Sequence, residues 1–330
     1  MKKKVAINGL GRIGKLFLMA CMEQDVDWDL FINHTGDLDF IVYTLKYDSV
    51  HPSPAEHISH DGKDLIFGKR KIKVFNEADP EKLPWKKEGI DLVVECTGHF
   101  TEREGAEKHL KAGAKKVLIS APAKGHDVTI VPGVNDSALK KEHRIVSAAS
   151  CTTNCVAPMM KILHEAFTIK SGHFVTTHAY TSTQRLIDGV DKKDVRRGRA
   201  AAIDIVPSTT GAATAVTEAI PSLKGKLSGY ALRVPVVDGS FSSVFLKIEK
   251  KTSAEAINKL FQKKAAEMKG ILEYTEEQIV SADIIHNSHS CIFDGNFTSV
   301  IDDLISVAGW YDNEWGYSCR LVDVARMILE

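Results

Sequence analysis

The sequence carries no excess charge of either sign: Lys and Arg together number 43, and Asp and Glu together number 43. A balanced chain offers no electrostatic reason for a polyanionic partner, so nucleic acid is not expected. No apolar run approaches the roughly 18–20 residues that a membrane-spanning helix needs, so no membrane partner is expected either. The opening stretch MKKKVAINGLG has three lysines, but Asn8 and Gly9 interrupt the apolar residues behind them before they could form the core of a signal peptide. Six cysteines, at 21, 96, 151, 155, 291 and 319, show no framework spacing, and a chain of 330 residues does not need stapling. Reduced thiols in the cytoplasm are the expectation. Internal repeats, low-complexity tracts and flexible linkers are also missing, which argues against solenoids and disordered tails.

What is present is an ordinary globular composition, 44% hydrophobic and 26% charged, at a length that suggests two domains. Strand and helix patterns alternate over residues 1–150. KVAING, DLFIN, DLVVECTG, KKVLIS, DVTIV and RIVSAAS read as strands, with helices at IGKLFLMACMEQ, DLDFIVYTLKYD and TEREGAEKHLKAGA. Such alternation implies a mostly parallel, doubly wound sheet. The stretch HISHDGKDLIFGKRKIKVF alternates differently, and its turns near Asp61-Gly62 and Gly68 predict a small antiparallel insert.

After residue 150 the rhythm changes. One helix, TTNCVAPMMKILHEAF, precedes long strands at HFVTTHAY, LSGYALRVPVV, FSSVFLKIEK and VIDDLISVAGWYD, with helical segments at about 211–219 and 253–268. Grouped strands of this kind predict an α+β domain over 151–313 with a mostly antiparallel sheet. EWGYSCRLVDVARMILE reads as an amphipathic helix, expected to dock at about 314–330 onto the first domain.

Two motifs carry chemistry. Gly9-x-Gly11-x-x-Gly14 directly follows a strand and opens a helix. The first glycine allows a tight turn, the second lets main chain approach a pyrophosphate, and the third lets helix and strand pack closely, with the anion on free N–H groups. The alternative is a structural turn. An acidic residue about 20 positions on would grip the ribose 2′-OH. Here the second strand ends FINHTGD, so that position holds His34, followed by Thr35 and Gly36. Without a carboxylate to repel a 2′-phosphate, NADP as well as NAD is expected to be accepted. The alternative is an exposed loop histidine in a chain that binds NAD without the usual carboxylate.

The second motif is SAASCTTNC. Cys151 and Cys155, four apart, lack the spacing of a zinc knuckle or a C-x-x-C redox pair, so no metal is expected. Ser150 reads as a helix N-cap and Cys151 as the first helical residue. There the free N–H groups and the helix dipole would lower the thiol pKa and could hold an oxyanion. A nucleophile and a buried structural thiol both remain open. The 13 histidines include His178 in VTTHAYTSTQ, but spacing alone does not select it as partner.

INGLGRIG, KYDSVH, ECTG, ISAPAKG, SAASCTTNC, THAYT, PSTTGAA, ALRVP and WYDNEWGYS occur here in the order found in phosphorylating glyceraldehyde-3-phosphate dehydrogenases, and the chain resembles that family from residue 4 to its end. The resemblance implies a Rossmann-type dinucleotide-binding domain and an α+β catalytic domain, acting on glyceraldehyde 3-phosphate and inorganic phosphate with NAD or NADP. It implies Cys151 as nucleophile and His178 as its partner. Gly9, Gly11, Arg12, Ile13, Gly14, His34, Thr97, Gly98, Ser120 and Asn313 would then serve the cofactor. Thr181, Thr183 and Arg233 would hold the substrate's phosphate, and Ser150, Thr152, Thr210 and Gly211 the incoming phosphate. Gly189-Val190, where NAD-specific members often carry Leu-Pro, adds weight to NADP use. The basic run DKKDVRRGRAAA (191–202) corresponds to an assembly loop, implying a homotetramer. Erythrose 4-phosphate on the same machinery, or a cofactor-responsive binding protein, are the alternative functions.

Overall fold

The computed structural model describes residues 2–53, 57–192 and 194–330. Lys193, within the basic run, lies outside the described residues. Compactness divides the chain into one unit of residues 1–130, 136–149 and 318–330, and a second of 131–135 and 150–317.

The first unit is built on a nine-stranded sheet. Its strands are β1 (Lys3–Asn8), β2 (Trp28–Asn33), β3 (Ile58–His60), β4 (Asp64–Phe67), β5 (Arg70–Phe75), β6 (Leu92–Glu95), β7 (Lys116–Ile119), β8 (Val128–Thr129) and β9 (Ile145–Ser147), in the order β3-β4-β5-β2-β1-β6-β7-β9-β8. Helices α1 (Arg12–Glu23), α2 (Leu38–Lys46), α3 (Trp85–Glu88) and α4 (Arg103–Lys111) connect them. The strands from β5 through β2, β1, β6, β7 and β9 to β8 pair parallel. Strands covered on both faces need apolar residues at successive positions, which explains the continuous runs in VAI and LVV. On one face Ala6, Phe31, Val93, Val117, Ile119 and Ile145 pack with Trp85 and with Ala106 of α4. The expected insert is present: β3, β4 and β5 pair antiparallel. Gly62 (φ 90°) and Gly68 (φ 58°) supply the left-handed backbone at the two turns.

β1 is flanked by β2 on one side and β6 on the other, so the order reverses at its carboxyl end. Ligands of open α/β sheets bind at such a switch point. The glycine loop follows β1 here, and Thr97-Gly98 follows the neighbouring β6.

The second unit holds an eight-stranded sheet. Its strands are β10 (Ile169–Ala179), β11 (Val206–Thr209), β12 (Leu227–Val234), β13 (Ser240–Ile248), β14 (Leu272–Thr275), β15 (Cys291–Asp294), β16 (Ser299–Ile301) and β17 (Leu304–Tyr311). The order is β11-β12-β10-β13-β17-β15-β14, with β16 on β17. Pairing is antiparallel except between β10 and β12 and between β14 and β15. Helices α5 (Cys151–Phe167), α6 (Ala212–Ala219) and α7 (Ala254–Glu267) belong to it, and α8 (Trp315–Leu329) closes the chain. Phe261 of α7 stacks on Phe293 of β15 with centroids 3.7 Å apart. The single strand expected at VIDDLISVAGWYD is instead the hairpin β16–β17, because Asp302 takes a left-handed φ of 54° and folds the chain back. Among the described residues no helix is long and apolar enough to cross a membrane.

Candidate active site

The reactive cluster lies in the second unit. The chain enters α5 through Ala149, held at φ 59°, a region that costs a non-glycine residue about 1–3 kcal/mol. Ser150 caps the helix as expected: its Oγ accepts from Thr153 N at 3.1 Å. Cys151 is therefore the first helical residue and is partly exposed, whereas Cys155 one turn on is fully buried.

The parallel register of β10 and β12 sets His178 opposite Arg233. His178 Nε2 lies 3.4 Å from Cys151 Sγ, and its Nδ1 lies 2.7 Å from Ala179 O and 2.6 Å from Arg233 Nη1. Arg233 Nη1 also donates to Ala179 O at 3.1 Å. One protonation state does not satisfy both Nδ1 contacts. If Nδ1–H donates to Ala179 O, Nε2 is a bare acceptor facing the thiol. If Arg233 donates to Nδ1, Nε2 carries the hydrogen and faces the sulfur as a donor. These two tautomers are a base and an acid aimed at the same sulfur.

The electrostatics correct the expectation for the thiol. Burial pushes the Cys151 pKa up; Arg233 and the hydrogen bonds from Thr152 pull the other way without overcoming it. Burial, reinforced by the Arg233 cation, lowers His178 to about 3. Both shifts favour the neutral thiol and the neutral imidazole over an ion pair. The Thr152 N–H at the helix start does favour the thiolate, but burial acts more strongly in the other direction.

Tyr311 fixes the imidazole. Its ring meets His178 edge-on with centroids 5.9 Å apart, and its Oη lies 2.9 Å from Thr152 Oγ1 and 2.7 Å from Thr176 Oγ1. The buried Thr152 hydroxyl is thus engaged with Tyr311. Thr181 and Thr183 are brought together, Oγ1 to Oγ1 at 2.9 Å. Thr210 Oγ1 accepts from Ala212 N at 3.2 Å and keeps its own hydrogen to donate. A Cβ on Gly211, at the start of α6, would meet nothing within 4 Å, so this helix end has open space before it. Arg197, within the basic run, lies within electrostatic reach of Arg233 and opposes its charge. Asn313 is buried, its Oδ1 2.6 Å from Ser240 Oγ.

The first unit holds the glycine loop. Gly9 takes φ 90°, and a Cβ there would stand 2.8 Å from Thr97 Cγ2. A Cβ on Gly14 would stand 1.9 Å from Gly9 O, while one on Gly11 would meet nothing within 4 Å. The third glycine therefore serves packing and the second leaves room for a ligand. The α1 N-terminus has no side-chain cap, so its N–H groups fit a dinucleotide's pyrophosphate. The Arg12 guanidinium is paired with the buried carboxylate of Asp48, which Lys15 Nζ also reaches at 2.5 Å. Burial would raise Asp48, but the hydrogen bonds from Arg12 and Lys15 hold it well below the usual carboxylate range.

A cavity of about 230 Å³ beside the loop is lined by Asn8, Asn33, His34, Glu77, Thr97 and Phe100, among others. His34 Nδ1 accepts from Leu10 N at 3.3 Å, and burial lowers its pKa, keeping the ring neutral. Thr97 N donates to Glu95 Oε1 at 2.7 Å, and Ser120 Oγ donates to Glu95 O at 2.9 Å. Gly98 is left-handed at φ 72°. Buried Glu95 also accepts from His109 Nε2 at 3.0 Å and Asn8 Nδ2 at 2.5 Å, so this carboxylate braces the cavity floor.

Comparison with known proteins agrees over nearly the whole length. Residues 3–103 match the model of the glyceraldehyde 3-phosphate dehydrogenase NAD binding domain, and residues 150–313 match that of the C-terminal domain. The glyceraldehyde-3-phosphate dehydrogenase of Thermotoga maritima is 52% identical, covering 99% of each chain. That of Geobacillus stearothermophilus is 48% identical over 99% of this chain and 98% of its own. The chloroplastic enzyme of Arabidopsis thaliana is 48% identical over 99% of this chain and 84% of its own.

Proposed function

Because this chain belongs to the glyceraldehyde 3-phosphate dehydrogenase family, we propose that it oxidises glyceraldehyde 3-phosphate to 1,3-bisphosphoglycerate with NAD or NADP, through a thioester on Cys151. The observation that carries the assignment of roles is the 3.4 Å approach of Cys151 Sγ to His178 Nε2 at a helix N-terminus, beside the Arg233 guanidinium.

Arg233 binds the substrate's phosphate, aided by the Thr181 and Thr183 hydroxyls; a planar guanidinium pairs two phosphate oxygens at once. As Cys151 sulfur bonds to the aldehyde carbon, its proton passes to His178 Nε2, and main-chain N–H groups at the start of α5 support the oxyanion. When bound, the dinucleotide supplies the hydride acceptor that turns the thiohemiacetal into a thioester, and Asn313 orients its carboxamide. Inorganic phosphate, held by Ser150, Thr152, Thr210 and Gly211, then attacks the thioester carbon. The Cys151–carbon bond breaks, and His178 Nε2–H stabilises the departing thiolate. Stopped assays of purified protein should show aldehyde oxidation that depends on inorganic phosphate. Equal rates with and without phosphate would rule the phosphorolytic step out.

Cofactor choice follows from His34. A neutral imidazole neither repels nor attracts a 2′-phosphate, and Glu77 contributes one carboxylate to the same cavity wall. Relaxed use of NAD and NADP is expected rather than strict preference, with kcat/KM values within roughly tenfold of each other. His34→Asp adds a charge facing the 2′ position and should shift the ratio toward NAD by about 10²-fold, a like-charge cost of a few kcal/mol. A wild-type enzyme already selective for NAD by that margin would overturn this.

Leu186, Ile187, Val190, Val195, Ile203 and Ile205 are exposed around the basic run, apolar surface that supports reading this segment as the assembly element of a homotetramer. All six cysteines are free, which suits a reducing cytoplasm.

A further inference from the structure

Ser240, the first residue of β13, has no part in the chemistry described above, yet it is 1% exposed and its hydroxyl makes two directed bonds. Ser240 Oγ accepts from the main-chain N–H of Ala179 at 3.2 Å and lies 2.6 Å from Asn313 Oδ1. A main-chain N–H only donates and an amide oxygen only accepts, so the serine hydrogen points at Asn313. This bond distinguishes the two ends of the Asn313 amide. Oδ1 is held toward Ser240, and the two N–H groups of Nδ2 face the other way. Without the hydroxyl, the amide could turn over about its last side-chain bond at little cost, presenting an acceptor where it now presents donors.

The same peptide also serves the base. Ala179 O takes His178 Nδ1 at 2.7 Å, while Ala179 N–H is taken by Ser240. One chain of hydrogen bonds therefore runs from Cys151 through His178, the main chain of residue 179 and Ser240 to Asn313. We propose that Ser240 is a positioning residue: it fixes the amide of Asn313 so that Nδ2 donates to the carboxamide oxygen of the nicotinamide, and thereby fixes which face of the ring receives the hydride. The proposal rests on the reading of Asn313 as the residue that orients the carboxamide. A turned-over amide would instead accept from the carboxamide nitrogen and favour the ring rotated by half a turn, with its other face presented.

The test uses the full-length protein with Ser240→Ala and, separately, Asn313→Ala. Calorimetry on dinucleotide-free protein compares the affinities for NAD and for ADP-ribose, which lacks the nicotinamide. Deuterium transfer from a C1-labelled aldehyde reads the face of the ring. Ser240→Ala is expected to weaken NAD about 10-fold, the worth of one hydrogen bond at a buried site, with ADP-ribose unchanged and label appearing on both faces. Asn313→Ala should do the same or more. If Ser240→Ala leaves both readouts at wild-type values while Asn313→Ala moves them, the role of Ser240 is refuted and that of Asn313 stands. If neither variant moves either readout, the reading of Asn313 fails and the proposal falls with it. Equal weakening of NAD and ADP-ribose by Ser240→Ala would mark a general structural defect and also refute the positioning role.

Discussion

Cys151→Ala should lower phosphate-dependent aldehyde oxidation by at least about 10⁴-fold, the scale on which loss of a catalytic nucleophile is felt. Among the described residues the Cys151 sulfur is the reactive atom that His178 Nε2 faces, and the neighbouring thiol is poorly placed to replace it. Cys155 shares the helix face, but it is fully buried, its Sγ lies 3.8 Å from Gly309 O, and burial drives its thiol pKa well up. It is neither exposed nor ionised enough to attack a carbonyl. The dinucleotide loop is in the other compact unit and depends on Gly9, Gly14, Thr97 and Glu95, none of which the substitution touches. Calorimetric NAD affinity should therefore stay within about 2-fold of wild type, since the sulfur belongs neither to that loop nor to the residues that brace it. Mass spectrometry should trap an acyl adduct on wild type when phosphate is withheld, and none on the variant. A variant that still turned over within tenfold of wild type would exclude covalent catalysis at this residue.

Legibility in the sequence tracked the range over which each feature is determined. The glycine loop was readable because its requirement is local: a left-handed turn, a clear approach and a close packing point within six residues. The N-cap of α5 was readable for the same reason. The partnership of His178 with Arg233 was not, since it depends on a parallel register between strands whose residues are 55 apart. Tyr311, which reaches Thr152 across 159 positions, left no periodic or spacing signal of its own. Asp48 stood inside the quoted motif KYDSVH, but only the folded chain shows it capturing Arg12 and Lys15. The β16–β17 hairpin was missed because its left-handed residue is Asp302 rather than the glycine that usually marks such a turn. The thiol follows the same rule: a helix N-terminus is visible in six residues, whereas the burial that raises the Cys151 pKa is supplied by the whole fold.

His178→Asn is the complementary experiment, because it separates a base from a standing charge. With Cys151 pushed up and His178 down to about 3, the resting site holds the proton on sulfur. Nε2 is then needed at the moment of attack, and its loss should slow acylation by about 10²–10⁴-fold. Alkylation of dinucleotide-free wild type should keep rising with pH through 9, because the thiolate is the reactive form and its pKa lies above the ordinary thiol value. A plateau near neutrality would indicate a preformed ion pair and overturn the neutral resting state. Stability gives an independent reading. Unfolded histidine takes up a proton near pH 6.5, whereas folded His178, packed on Tyr311 and beside Arg233, does not until about 3. Its contribution is thus fully present above 6.5 and lost as pH falls from there toward 3, at up to about 1.4 kcal/mol per pH unit. Denaturant titrations between pH 6 and pH 4.5 should show the wild type losing stability more steeply than His178→Asn by about that slope. Parallel slopes would mean that the folded imidazole already carries a proton in that range. In that case it could not accept one from Cys151 and would act only as a fixed cation beside the sulfur.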